Sequence, residues 1–245
     1  MTRSLIINFA GYLQGKMTAR STTGPVASAL KLEIAAISLL ESPGFHAMTI
    51  EEICTKAKLA KGTFYLHFDS KQAITLSILA DFVKLQARLA PTIERDQHLF
   101  ENLRTFVGWV AAVFQENIGL QRSLTQLADT IPEVTAIWER HTMFLANHVR
   151  AMIEHELQTK KVGDDLIGLT IYLVGNMLDQ LLYATQAVHR QSDLERLAGS
   201  AEHAVEVVSL LWYRALCAEN PPAHFLQSSA PLLALKRKVS GTVES

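Results

Sequence analysis

Between residues 49 and 71 the chain sets out a dense row of groups that donate hydrogen bonds or are able to: Thr49, Lys56, Lys58, Lys61, Thr63, Tyr65, His67 and Lys71. Donors of this kind, held at fixed positions, are what a phosphate backbone requires, and a helix N-terminus adds a favourable dipole. Gly62 sits among them without a side chain, which lets the backbone come close to a partner. The stretch from Lys61 to Phe68 contains no Arg, Asn or Gln. Bidentate readout of base edges, which uses those residues, is therefore sparse.

These donors need short helices to hold them. A helix is expected over 27–41, with Leu30, Ile34 and Ile37 on one side, ending at Pro43-Gly44. Thr49 then opens a second helix over 50–57. Glu52 stands three residues on, at the matching position of a capping box. A turn at Lys58–Ala60 leads to a short helix near 61–67, and Ser70 caps a fourth that runs toward Leu89 and stops at Pro91. Leu40, Phe45, Ile50, Ile53, Ala57, Leu59, Phe64 and Phe68 complete a small apolar set that suits a three-helix head. Gly44 allows the turn after the first helix, and Ser70-Lys71 presents an amide end and a cation to a phosphate.

This segment resembles the TetR family of bacterial transcription regulators. The resemblance rests on Gly44-Phe45, Met48-Thr49-Ile50, Ile53, Ala57, Lys61-Gly62-Thr63-Phe64-Tyr65, His67-Phe68 and Ser70-Lys71. It is specific over about 45 residues, and beyond them only helix number, length and order support it. It implies a homodimer with an N-terminal helix-turn-helix and a divergent C-terminal domain for ligand binding and dimerisation. It further implies that Thr49, Lys61, Thr63, Tyr65, His67 and Lys71 lie at or near DNA. Two positions depart from the family pattern. Lys58 follows Ala57 where the family usually has glycine, and a left-handed Lys costs roughly 1 kcal/mol. Ala60 stands where the family favours a Ser cap, a loss of about 1 kcal/mol. Lys58 either adds a phosphate contact or is a solvated turn lysine.

Composition limits the rest. The chain has 245 residues, nearly half hydrophobic, with a net charge of -1, so any DNA-binding charge must be local. Its two cysteines, Cys54 and Cys217, fit no CxxC or Cys/His zinc spacing, which suits a reducing cytoplasmic setting. Residues 166–182 are the most apolar long run, but Thr170, Asn176, Asp179 and Gln180 interrupt it, so no membrane span is expected. No phosphate loop, Gly-x-Ser-x-Gly or HExxH motif is present, so no catalytic residue is assigned and no cofactor is expected. His141, His148 and His155 recur every seven residues, about 10.5 Å apart along a helix. That is too far to share one ion at about 2.1 Å, so no metal site is expected.

The remaining helices are expected over 97–117, 119–129, 133–158, 164–189 and 193–218. Four regions follow: a flexible leader at 1–27, the head at 28–75, a ligand-binding and dimerisation domain at 76–220, and a tail at 221–245. Arg3, Lys16 and Arg20 make the leader basic, and Met17 is an alternative start to Met1.

On the helix from Asp164, Gly168, Ile171, Gly175, Leu178 and Leu182 form one stripe, and glycines there permit close helix approach. It fits a dimer seam with Ala204, Val207, Val208, Leu211 and Ala215 opposite, or packing inside one protomer. A second stripe, Tyr172, Asn176, Asp179 and Tyr183, mixes aromatic and polar groups as a ligand-pocket wall does. Phe106, Trp109, Val113, Trp138, His141, Phe144 and His148 are expected to close that pocket or to be ordinary core. Asp179 either recognises a cationic ligand group or pairs with an Arg or hydroxyl.

The expected fold class is all-α: an N-terminal three-helix helix-turn-helix head followed by a helical-bundle ligand-binding and dimerisation domain. The expected function is a homodimeric, ligand-responsive transcription regulator, a repressor released from its double-stranded operator by a small, largely apolar molecule. A DNA-binding structural or cell-division factor on the same fold, without an effector, is the alternative.

Overall fold

The computed structural model describes residues 8–19, 23–157, 164–186 and 192–234. Within them the protein is all-α. Its helices are α1 Phe9–Ala19, α2 Gly24–Glu41, α3 Ile50–Ala57, α4 Lys61–Tyr65, α5 Lys71–Leu89, α6 Leu99–Glu116, α7 Ile118–Ala128, α8 Pro132–Leu157, α9 Asp164–Gln186, α10 Ser192–Ala198 and α11 Ala201–Cys217. Two 3-10 turns, Ala223–Phe225 and Ala230–Ala234, follow. No helix among the described residues is long and apolar enough to cross a membrane.

The chain divides into two compact units, one of Met1–Thr92, Trp109–His148 and Gln186–Arg190, the other of Ile93–Gly108, Val149–Thr185 and Gln191–Ser245. In the first, α2 to α5 form the head around Leu32, Ala36, Leu40, Met48, Ile53, Phe64, Ile74 and Ile78, all buried. The C-terminal end of α2 is closed from α7. Arg122 donates through Nη2 to the carbonyls of Leu40 (2.8 Å) and Glu41 (2.7 Å), which a helix end otherwise leaves without partners. Gly119 comes so near that a Cβ there would stand 2.5 Å from the Glu41 Cα.

The leader differs from expectation. Residues 9–19 form α1, and its Phe9 and Leu13 are buried. Phe9 packs 5.6 Å from the Phe82 ring of α5, and its N–H donates to Asn117 Oδ1 at 2.9 Å. Arg88 donates to the Tyr12 hydroxyl at 2.9 Å. Burying two large apolar side chains contributes about 1.5–3 kcal/mol each, enough to order a segment whose own pattern is too short to declare itself. Arg3 and Arg20 of the expected basic leader lie outside the described residues.

In the second unit the expected single helix over 193–218 is broken. Gly199 adopts φ +64°, and the Ser200 hydroxyl accepts from His203 N–H at 3.1 Å to start α11 afresh. The tail is strapped to α11 by Glu206. Its carboxylate accepts from the N–H groups of Gln227, Ser228 and Ser229 and from the Ser229 hydroxyl, the last two at 2.7 and 2.6 Å. Phe225 packs tilted against His98 with ring centroids 4.8 Å apart. Residues 235–245, including the expected basic cluster Lys236-Arg237-Lys238, lie outside the described residues.

Candidate nucleic-acid interface

The capping box expected from sequence is present. Thr49 Oγ1 accepts from Glu52 N–H at 3.2 Å, while the Glu52 carboxylate accepts from Thr49 N–H at 2.8 Å. Thr49 is exposed, yet its hydroxyl also donates to Glu52 at 2.9 Å, so its first role is to fix the start of α3. The turn that follows carries the two anomalies read from sequence. Lys58 is left-handed (φ 57°, ψ 44°), and its N–H with that of Leu59 satisfies the Thr55 and Cys54 carbonyls that end α3. Ala60 caps α4 without a side-chain hydrogen bond.

One turn long, α4 takes its orientation from one anchor. Phe64 is fully buried, against Tyr65 (5.5 Å) and Phe68 (5.9 Å). Its other positions are partly or wholly open. Lys61, Gly62 and Tyr65 are exposed, and Thr63 and His67 are half-buried. A Cβ at Gly62 would meet nothing within 4 Å. Lys61 forms an ion pair with Glu51, which raises the ammonium's affinity for its proton and lowers that of the carboxylate, in both cases chiefly through the hydrogen bond between them.

Lys71 stands apart from the other donors. Its Nζ donates to the carbonyls of Phe45 (3.0 Å), His46 (3.1 Å) and Met48 (3.1 Å) and lies 4.9 Å from the Phe45 ring centroid. An ammonium has three protons, and all three are committed to the loop between α2 and α3. Lys71 therefore positions that loop rather than offering a free proton to phosphate. The aromatic Phe45 and the basic Lys71 were legible in sequence, but their mutual closure was not.

The residues expected to line a ligand pocket fall in both units. In the first, Trp109, Val113 and His141 are buried, while Trp138, Phe144 and His148 are half-buried. His141 Nε2 pairs with Gln86 Oε1 of α5 at 3.1 Å, and the Trp138 ring lies 6.1 Å from the imidazole. Burial pushes the His141 pKa down to about 4, so the imidazole is neutral at pH 7. Gln86, which sequence reasoning missed, has only its place in an amphipathic helix to betray it. The side chain of His155 lies outside those described. In the second unit Phe106 is buried 6.5 Å from the Trp212 ring. Tyr183 and Asp179 are half-buried, and burial raises the Asp179 pKa to about 6. Tyr172 is half exposed, and Asn176, half-buried, donates to the Tyr172 carbonyl at 2.8 Å.

Of the stripe expected to form a dimer seam, the three large side chains are buried within the protomer and the two glycines are half-buried. Ile171, Leu178 and Leu182 are 4–5% exposed. A Cβ at Gly168 would stand 3.2 Å from Arg150, and one at Gly175 would stand 4.0 Å from Trp212. The approach is tight at Gly168 and ordinary van der Waals contact at Gly175. About 180° round α9 lies the open face: Leu169, Tyr172, Leu173 and Met177, each roughly half exposed. On α11, Val208 is buried, while Val207 and Leu211 keep part of their surface open.

Comparison with known proteins accords with this geometry. Residues 34–78 match the family model described as bacterial regulatory proteins, tetR family. The helix-turn-helix-type transcriptional regulator YerO of Bacillus subtilis is 40% identical over 60 residues, covering 24% of this chain and 21% of the relative. YdgC of the same organism, another helix-turn-helix-type regulator, is 26% identical over 196 residues, covering 77% of this chain and 92% of the relative. The solved structure of Salmonella enterica GusR superposes with a TM-score of 0.62 at 16% identity, covering 80% of this chain and 99% of that one, a likeness of fold. The relatives are regulators of transcription, and residues 34–78 of this chain carry the helix-turn-helix segment of the tetR family of bacterial regulatory proteins.

Proposed function

We propose that this regulator is a homodimeric repressor, released from its operator by a small, largely apolar molecule. The open apolar row on α9 carries the reading. Leu169, Tyr172, Leu173 and Met177 are each about half exposed on a helix whose opposite side buries Ile171, Leu178 and Leu182. With Val207 and Leu211 of α11 they supply a self-complementary face, and two helices from each copy would make a four-helix bundle. Pairing sets two α4 helices against successive major grooves, roughly 34–36 Å apart. Lys61, Gly62, Thr63, Tyr65 and His67 then face the duplex, with Lys58 at its edge, while Thr49 and Lys71 hold the head in shape. The setting is the cytoplasm, where the DNA is.

The effector site is organised about His141 and Gln86, with Trp109, Val113, Trp138 and Phe144 as its apolar surroundings. Gln86 lies on α5, the helix that leaves the head at Lys71. An effector shifts the equilibrium only as far as it prefers the state that does not bind DNA. Replacing Leu173 with Arg tests the dimer: light scattering is expected to show a monomer with greatly weakened operator binding, and a stable dimer would contradict the α9 face. Trp109 and Trp138 fluorescence tests the effector: it is expected to change with an apolar ligand, and silence across a broad panel would contradict the site.

A further inference from the structure

Leu66 is 81% exposed, the most open of the large apolar side chains among the described residues. It follows directly on α4 with helical backbone angles (φ -73°, ψ -18°), so its direction follows from the helix. At 100° per residue, Gly62 and Leu66 point the same way, four residues apart, and both lie about 160° from Phe64. Phe64 is fully buried in the head. The outward face of α4 is thus a bare glycine, with nothing within 4 Å of where its Cβ would be, followed by a leucine.

That face is the one a recognition helix presents to DNA, and this inference rests on the DNA-binding reading. An isobutyl group has nothing to offer a phosphate or a base-edge donor. In the major groove the one apolar group that distinguishes a base pair is the C5-methyl of thymine. The rest of the segment offers little bidentate readout, because residues 61–68 contain no Arg, Asn or Gln. A lone exposed leucine elsewhere on a surface is unremarkable. Here the glycine one turn earlier lets the helix lie close enough for the leucine to reach a base.

We propose that Leu66 is a specificity-determining residue that reads thymine, packing on the C5-methyl of one thymine in each operator half-site. The discrimination is against cytosine, and also against uracil, which differs from thymine by that methyl alone.

The test uses the full-length protein. Duplexes that bind are selected from a random pool, and each thymine of the enriched sequence is replaced in turn by deoxyuridine. At one position per half-site, loss of the methyl is expected to weaken wild-type binding about fourfold. Leu66→Ala is expected to bind thymine and deoxyuridine alike at that position, with the salt dependence of binding unchanged, because phosphate contacts are untouched. Leu66 is exposed, so the variant should melt with the wild type, which a thermal scan checks. The proposal is overturned if the wild type binds every deoxyuridine duplex as well as thymine, or if Leu66→Ala keeps the preference. A pool that yields no enriched sequence overturns the DNA-binding reading itself and the proposal with it.

Discussion

Gly119 backs onto Glu41 so closely that a Cβ at 119 would stand 2.5 Å from the Glu41 Cα and 2.6 Å from its N. Both atoms are backbone, so neither can swing aside. With Arg122 holding the last carbonyls of α2, the start of α7 is fitted to the end of the first head helix. Gly119→Ala is expected to destabilise the fold by about 1–3 kcal/mol, as overpacking does. Urea denaturation reads this, and an unchanged midpoint would mean the two backbones separate at no cost.

Lys71 and Lys61 are both lysines of the head, but the structure gives them different work. Lys71→Ala removes three hydrogen bonds to the α2–α3 loop and is expected to lower both thermal stability and operator affinity, leaving the salt slope of binding unaltered. Lys61→Ala is expected to keep stability and reduce the slope by about one per contacted phosphate. Titrations from low to moderate salt, beside thermal melts, separate the two.

The Glu51–Lys61 pair is exposed, so it holds Lys61 loosely and at low salt only. Glu51→Gln frees the ammonium and removes a negative charge near the duplex. Operator affinity is expected to rise, most at low ionic strength. Equal or weaker binding would mean that the pair presents Lys61 rather than restrains it.

His141 and Asp179 tilt stability with pH in opposite directions. His141 has its folded pKa depressed to about 4 by burial, below an unfolded value of about 6.5. Its contribution is present above pH 6.5 and is lost as pH falls toward 4, because the unfolded chain then binds a proton the folded one refuses. Between pH 7 and pH 5 this amounts to about 2 kcal/mol. Asp179 has its pKa raised to about 6 by burial, above an unfolded value of about 3.9. Its contribution is present below pH 4 and is lost as pH rises through 6. Asp179→Asn is therefore expected to stabilise the protein at pH 7, by about 1–2 kcal/mol since the side chain keeps some exposure. His141→Gln is expected to flatten the acid side of the profile. Urea midpoints at pH 5 and 7 for both variants check the signs.

The head was legible because local signals decide it. Thr49 with Glu52, Ser70, Phe64 and the Lys58 departure are all readable within a few residues, and the structure realises each one. Long-range relations were not legible. α1 is ordered by Phe82 and Asn117, about 70 and 110 residues away, and no periodicity announces that. The two stripes of α9 were visible, but which faced inward depended on Arg150 and Trp212 supplied by other helices. Glycines mark close approach without saying whose helix approaches. Leu66 carries no polar donor, so the hydrogen-bonding pattern of the recognition segment does not mark it.

The most direct measurement is operator affinity of the double variant Lys61→Ala/Tyr65→Ala, by fluorescence anisotropy at moderate salt, on a duplex selected by the wild type. Both side chains are exposed on α4, so fold and oligomeric state should persist, which light scattering checks. The account predicts a loss of at least about tenfold, as expected when a phosphate contact and an adjacent hydroxyl contact go together. Unchanged affinity would contradict the assignment of α4 as the helix that meets DNA.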